Sequence, residues 1–221
     1  MSLLAGALTT VDKLRTHLQI GRTSAISGRF SDPDLETLIN QASAAIARHC
    51  QRNLVAPAVV GESDDGSETY TFDGDGRNWL WLPDSPIVAV TSVTLNISSV
   101  TVPASSTVND VGWYLTDASR KLGKIHLYGY TADRDPRGVS VVARCGFDAT
   151  AAAALTPMGR YHRQALESLR QACHAVCSHW FENPKALAGL VQEGISADFG
   201  DLAFPKRTVD LLTDFVRPAV L

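Results

Sequence analysis

Long apolar runs are missing from this chain. None approaches the ~20 residues that cross a bilayer, so no membrane-spanning helix is expected. Met1 to Leu8 carries no basic side chain. A secretory leader is therefore not expected, and a soluble protein made in a cytoplasm is the default. Cysteine is scarce: 4 in 221 residues, at Cys50, Cys145, Cys173 and Cys177, which argues against a disulfide-built scaffold. A basic excess is lacking as well. The formal net charge is -3, and residues 57–150 hold 12 acidic against 7 basic side chains. With no basic stripe to neutralise phosphates, nonspecific nucleic-acid binding is disfavoured. Walker A, the dinucleotide-binding glycine pattern and the G-x-S-x-G elbow are all absent, so no motif supports catalysis.

What is present is a globular composition, 45% hydrophobic and 19% charged, in a chain long enough to bury a sizeable core. Residues 1–56 read as helical. In "TTVDKLRTHLQI", Thr9 or Thr10 can cap, and Val11, Leu14 and Leu18 follow at helical spacing. In "SDPDLETLINQASAAIARHCQR", Asp32 is expected to cap and Pro33 to take the first helical position. Leu35, Leu38, Ile39, Ala42 and Ile46 form one apolar stripe. From 57 to 150 the period changes to two. "YTF", "WLWL", "IVAVTSVTLN", "GWYLTD", "KIHLYG" and "VSVVARCGF" are β-branched or aromatic runs separated by turn residues, a small antiparallel module. Residues 151–221 return to helix. Thr156 can cap and Pro157 open a run to about Glu182, with Tyr161, Ala165, Leu169, Ala172, Cys173 and Val176 on one face. The stretch around Ile195 to Phe204 is expected to be extended, and a short helix from Pro205 to about Val216 to close the chain. The fold class is therefore α+β: a helical bundle with an inserted antiparallel β module. The N-terminal helices bury too little alone and must pack on the long helix that follows the insert.

Four features invite a chemical reading. Asp73-Gly74-Asp75-Gly76 resembles a calcium loop only in its carboxylates. Its fifth position is Arg77 and its twelfth Asp84 rather than a bidentate Glu, and strands flank it. Asp-Gly between alternating runs is a hairpin signal, so a turn is expected. In "CHAVCSHW", Cys173 and Cys177 lie one helical turn apart, but no second Cys/His pair completes a zinc set; small buried core residues are expected. His49 and Cys50 are adjacent on a helix and point about 100° apart, which is wrong for a nucleophile and base. Trp79, Trp81, Trp113, Tyr114 and Tyr128 are expected to form the core of the sheet, with both faces of the Trp79–Trp81 strand buried. The alternative is a stacking platform, which would make the module a carbohydrate- or host-surface-binding domain. No catalytic residue, metal site or cofactor is expected.

Taken in order, these stretches resemble a known family. "TTVDKLRTHLQI", "DPDLETLINQASAAIARHCQRNLV", "YTFDGDGRNWLWLPDSPIVAVTSV" and "FPKRTVDLLTDFVRP" follow the pattern of head–tail connector proteins, also called adaptor or head-completion proteins. These occur in tailed bacteriophages, prophages and gene transfer agents. Each motif is a cap, a turn or a stripe; their order and spacing over nearly the whole chain carry the likeness. The run His49 to Arg52 replaces a more usual "Y-T-G-R" type.

The resemblance implies a structural virion protein of the neck, made in the host bacterial cytoplasm and not an enzyme. It implies a homo-oligomeric ring, usually of twelve copies, beneath the portal protein. Such a ring extends the channel for double-stranded DNA without specific binding, and offers a docking surface to tail or stopper proteins. The C-terminal segment would engage the portal through Ile195, Asp198, Phe199, Leu202, Phe204 and Arg217. The alanine-rich helix would supply a subunit contact through Ala42, Ala45 and Ile46, since closed rings repeat one heterologous contact.

Overall fold

The computed structural model describes residues 3–4, 6–19, 31–57, 66–95, 100–105, 110–132, 134, 136–182 and 204–216. The chain divides into two compact units, Met1–Gln51 with Arg163–Leu221, and Arg52–His162. Helices and antiparallel sheets make it α+β, a helical part with an inserted β module.

The first unit is helical. Helix α1 (Val11–His17) is capped by Thr10, whose side chain accepts from the Lys13 N–H. Helix α2 (Asp32–Cys50) starts one residue earlier than the sequence suggests, because Ser31 and not Asp32 caps it. The Asp34 carboxylate, three residues on, reaches back to accept from the Ser31 N–H at 2.9 Å and the Ser31 hydroxyl at 2.7 Å. These donors hold the Asp34 carboxyl below its ordinary range. Gln51, at φ 54, ends the helix in the left-handed region. The apolar stripe of α2 is buried as Leu35, Leu38, Ile39, Ala42 and Ile46.

The β unit holds seven strands: β1 (Glu68–Phe72), β2 (Trp79–Trp81), β3 (Ile87–Leu95), β4 (Val100–Val102), β5 (Gly112–Tyr114), β6 (Lys124–Tyr128) and β7 (Val139–Cys145). They form a four-stranded sheet in the order β1-β7-β3-β4 and a three-stranded sheet in the order β2-β6-β5, every pair antiparallel. One core serves both sheets. Leu80, Leu82, Ile125 and Leu127 join Ile87, Val93, Val102, Val139 and Val141 in a single buried cluster. The alternating burial of β7, with Val139, Val141, Ala143 and Cys145 inward, is the period-two signature of a half-buried strand. Helix α3 (Asp117–Leu122) is capped by Thr116 and packs on β3 and β6, where Arg120 donates to the Val88 carbonyl at 2.8 Å. A single turn, α4 (Ala149–Ala152), follows β7.

Helix α5 (Pro157–Glu182) begins in the β unit and continues into the helical unit. Thr156 caps it by accepting from the Gly159 N–H at 3.0 Å. Ala165, Leu169, Ala172, Cys173, Val176, Cys177 and Trp180 are its buried apolar residues in the helical unit. Contacts there tie α5 to earlier chain: Cys173 Sγ lies 3.9 Å from Ser43 Oγ of α2. Helix α6 (Lys206–Leu212) and a turn of 3-10 helix (Thr213–Phe215) bury Leu212 and Phe215. The extended stretch expected before it, 195–203, lies outside the described residues.

Candidate functional site

The Asp-Gly-Asp-Gly segment is not a hairpin tip. Its flanking strands do not pair with each other: β1 pairs with β7, and β2 with β6. The segment instead carries the chain from one sheet to the other. An Asp-Gly signal reports a local change of direction, and here the strands diverge after it. Gly76, at φ +78, supplies the left-handed step, and its N–H donates to the Ala132 carbonyl at 2.6 Å. The carboxylates serve the backbone. Asp73 accepts from the Arg137 N–H at 2.7 Å, and Asp75 accepts from the Arg77 N–H at 2.9 Å.

The tryptophans of β2 are turned outward, which corrects the core assignment made from sequence. Leu80 faces the core between them, with Trp79 half-buried and Trp81 45% exposed. The register explains this. Trp79 sits opposite His126, which sits opposite Tyr114, so one aromatic row crosses all three strands. Trp81 sits opposite Lys124. The signal was in "KIHLY": Ile125 and Leu127 alternate with Lys124, His126 and Tyr128, so this strand has one wet face, and the tryptophans share it. On that face, Lys124 Nζ lies 4.4 Å from the Trp79 ring centroid and 5.6 Å from that of Trp81. Arg77 lies over Trp79 as well, at 5.4 Å. These are cation–π distances. Tyr114 stacks on His126 with centroids 5.0 Å apart. Partial burial, then the Lys124 charge, lowers the His126 pKa.

Beneath the β unit's surface is a polar hub that sequence inspection missed. Asp84, buried, accepts from the Asn53 N–H at 2.9 Å, from Asn53 Nδ2 at 3.1 Å and from the Tyr70 hydroxyl at 3.2 Å. Arg52 donates to Ser85 Oγ at 2.7 Å. Burial pushes the neighbouring Cys145 thiol up to about 12 and raises Tyr70 as well. Both side chains therefore stay protonated, suited to structure rather than to nucleophilic chemistry. Nearby, Asp148 pairs with Arg144 at 2.9 Å, and its N–H donates to His162 Nδ1 at 3.2 Å.

In the helical unit, a cavity of about 610 Å³ is lined by His17, Gln171, His174, Ser178, His179 and Arg207, among others. His174 is 8% exposed, its Nε2 lies 2.8 Å from Thr9 Oγ1, and its ring sits 4.7 Å from that of His17. Burial first, then the charges of His17, Arg170 and Lys13, lowers its pKa to about 4. Among the described residues no group of three His, Cys, Asp or Glu side chains is placed to hold a metal ion. Cys173 and Cys177 are buried, and the Cys177 thiol is raised by its hydrogen bond with Cys173 and by burial.

Of the residues assigned to a portal contact, Ile195, Asp198, Phe199, Leu202 and Arg217 lie outside the described residues. Phe204 is half-buried, its ring 5.3 Å from that of His49. Ala42, Ala45 and Ile46, assigned to a subunit contact, are 0%, 8% and 0% exposed within the chain's own helical unit. All three pack within that unit. The outward face of α2 carries Gln41, Ala44 and Arg48 instead.

No family model matches the sequence, and no curated protein matches it. Solved structures do. A chain from the virion of a native gene transfer agent (GTA) particle superposes with a TM-score of 0.56 at 22% identity, covering 100% of this chain and 95% of that one. A chain from the neck of an empty GTA particle computed with C6 symmetry gives 0.54 at 21% identity, covering 100% and 95%. One from the neck of a native GTA particle computed with C12 symmetry gives 0.51 at 21%, covering 100% and 94%. What this chain has in common with them is the fold, over its full length.

Proposed function

We propose that this chain is a structural component of a virion neck, a head–tail adaptor that assembles as a homo-oligomeric ring of twelve beneath a portal protein. The observation that carries the proposal is the end-to-end fold likeness to chains of GTA virions and necks, one of them computed with C12 symmetry. In this reading the chain is not an enzyme and works without a cofactor. It is made in a bacterial cytoplasm and ends in the virion, where its ring extends the DNA channel and receives a tail or stopper protein. A formal net charge of -3 suits a channel wall past which DNA slides without being held. The C-terminal segment, with Ile195, Asp198, Phe199, Leu202, Phe204 and Arg217, is the proposed portal contact. Electron microscopy of purified particles tests the placement: density for this chain is expected in the neck, and its absence there ends the proposal. Replacing Ile195, Asp198, Phe199 and Leu202 together by alanine should abolish co-purification with the portal protein while helical and sheet circular dichroism persist. Undiminished co-purification would remove the C-terminal contact from the proposal.

A further inference from the structure

An Asp-Gly step can react with itself. The glycine's amide nitrogen adds to the aspartate's own side-chain carboxyl, and with no Cβ on the glycine nothing hinders the approach. The nitrogen gives up its proton, one carboxyl oxygen leaves as water, and a succinimide ring closes. Water then reopens the ring at either carbonyl. One opening restores aspartate. The other gives isoaspartate, in which the main chain runs through the former side-chain carbon. Only water takes part, no atom changes oxidation state, and the final mass equals the starting mass.

The chain has three such steps, Asp65-Gly66, Asp73-Gly74 and Asp75-Gly76. Asp65 lies outside the described residues. The other two share the crossing from β1 to β2, and the fold treats them differently. The second step is locked. Its nucleophile, the Gly76 N–H, donates to the Ala132 carbonyl at 2.6 Å, and the Ala132 N–H donates back to the Arg77 carbonyl at 2.9 Å. Ala132 belongs to the buried core of the β unit, so this clamp is anchored. The Asp75 carboxylate accepts from the Arg77 N–H at 2.9 Å and lies 3.4 Å from Arg77 Nε. The first step is open. Asp73 is exposed, and the Gly74 N–H has no hydrogen-bond partner among the described residues. Asp73 Oδ1 accepts from the Arg137 N–H at 2.7 Å. Negative charge gathers on such an oxygen as the nitrogen adds, so a donor there does not bar the reaction.

We infer that Asp73, and not Asp75, is a site of spontaneous isoaspartate formation in the folded chain. The change adds one atom to the main chain between β1 and β2 and shortens the side chain whose carboxylate holds the Arg137 N–H. Its product is a substrate for the class of carboxyl methyltransferase that uses S-adenosylmethionine to methylate isoaspartyl groups. The inference goes beyond the neck reading and does not rest on it.

The test ages the full-length chain in warm neutral buffer, one sample folded and one unfolded in urea. The tryptic peptide that ends at Arg77 is then fragmented by electron transfer, which locates each isoaspartate. Each site is scored against its own rate in urea. On that scale Asp75 should be protected about tenfold more than Asp73, because its step waits for the Ala132 clamp to open. Gly74 does not stand at positive φ, so Gly74→Ala is compatible with the backbone. It should cut conversion at position 73 about tenfold, since a Cβ now hinders the nitrogen. Equal protection of the two sites, or greater protection of Asp73, would overturn the inference. So would an absence of isoaspartate at 73 over an interval in which the chain in urea converts, or a yield there indifferent to Gly74→Ala.

Discussion

Acid should loosen the helical unit through one side chain. His174 is buried against Thr9 and beside His17, with Lys13 and Arg170 adding positive charge around it. In the folded chain its pKa falls from an ordinary 6.5 to about 4. Between those values the unfolded chain takes up a proton that the folded chain refuses, so lowering the pH favours unfolding. The loss begins as pH drops through 6.5 and levels off near 4, where both states are protonated. Each tenfold in acidity is worth about 1.4 kcal/mol, so the full interval amounts to about 3 kcal/mol; water reaching the ring through the cavity screens part of it and leaves about 2 kcal/mol. The assay is urea unfolding followed by helical circular dichroism from pH 7.5 to 4.5, for the native chain and for His174→Gln. The native chain should lose about 2 kcal/mol more than the variant over that range. His162, lowered by its own burial, titrates in both proteins and cancels in the difference. Parallel curves for the two proteins would refute the reasoning.

Other substitutions have plain expectations, each read by thermal or urea unfolding. Leu38→Ala or Leu169→Ala removes a buried side chain and should cost about 2–5 kcal/mol, whereas Leu155→Ala, at a 90% exposed position, should change little. Gly146→Ala would set a Cβ 2.5 Å from the Ala56 nitrogen at φ +113, so a loss above about 3 kcal/mol is expected. Asp84→Ala strands the Asn53 and Tyr70 donors, with an expected cost of about 2–4 kcal/mol and a wild-type-like far-UV spectrum.

Local signals were legible and distant ones were not. Thr156 before Pro157, and the α2 stripe from Leu35 to Ile46, rest on neighbours within four residues, and the structure keeps them. Ser31 displaced Asp32 as a cap because Asp34 could reach back, a choice decided by one side chain's length. Strand content was readable from alternation. Strand pairing was not, since β1 meets β7 across some seventy residues with no local mark. The outward turn of Trp79 and Trp81 needed the register with β6, and the His174–Thr9 contact joins residues 165 apart.

The division of the chain also sets a schedule for its birth. Helices α1 and α2 belong with the later part of α5, yet the whole stretch from Arg52 to His162 is translated between them. At about 5–20 residues per second that interval is on the order of ten seconds. The stripe of Leu35, Leu38, Ile39 and Ile46 leaves the ribosome before the part of α5 that completes its unit is made. The sheet cannot close either until β7 follows β1. We expect nascent chains whose β7 has cleared the ribosome and whose α5 has not to carry a finished β unit and an exposed helical stripe, the species a chaperone would meet first.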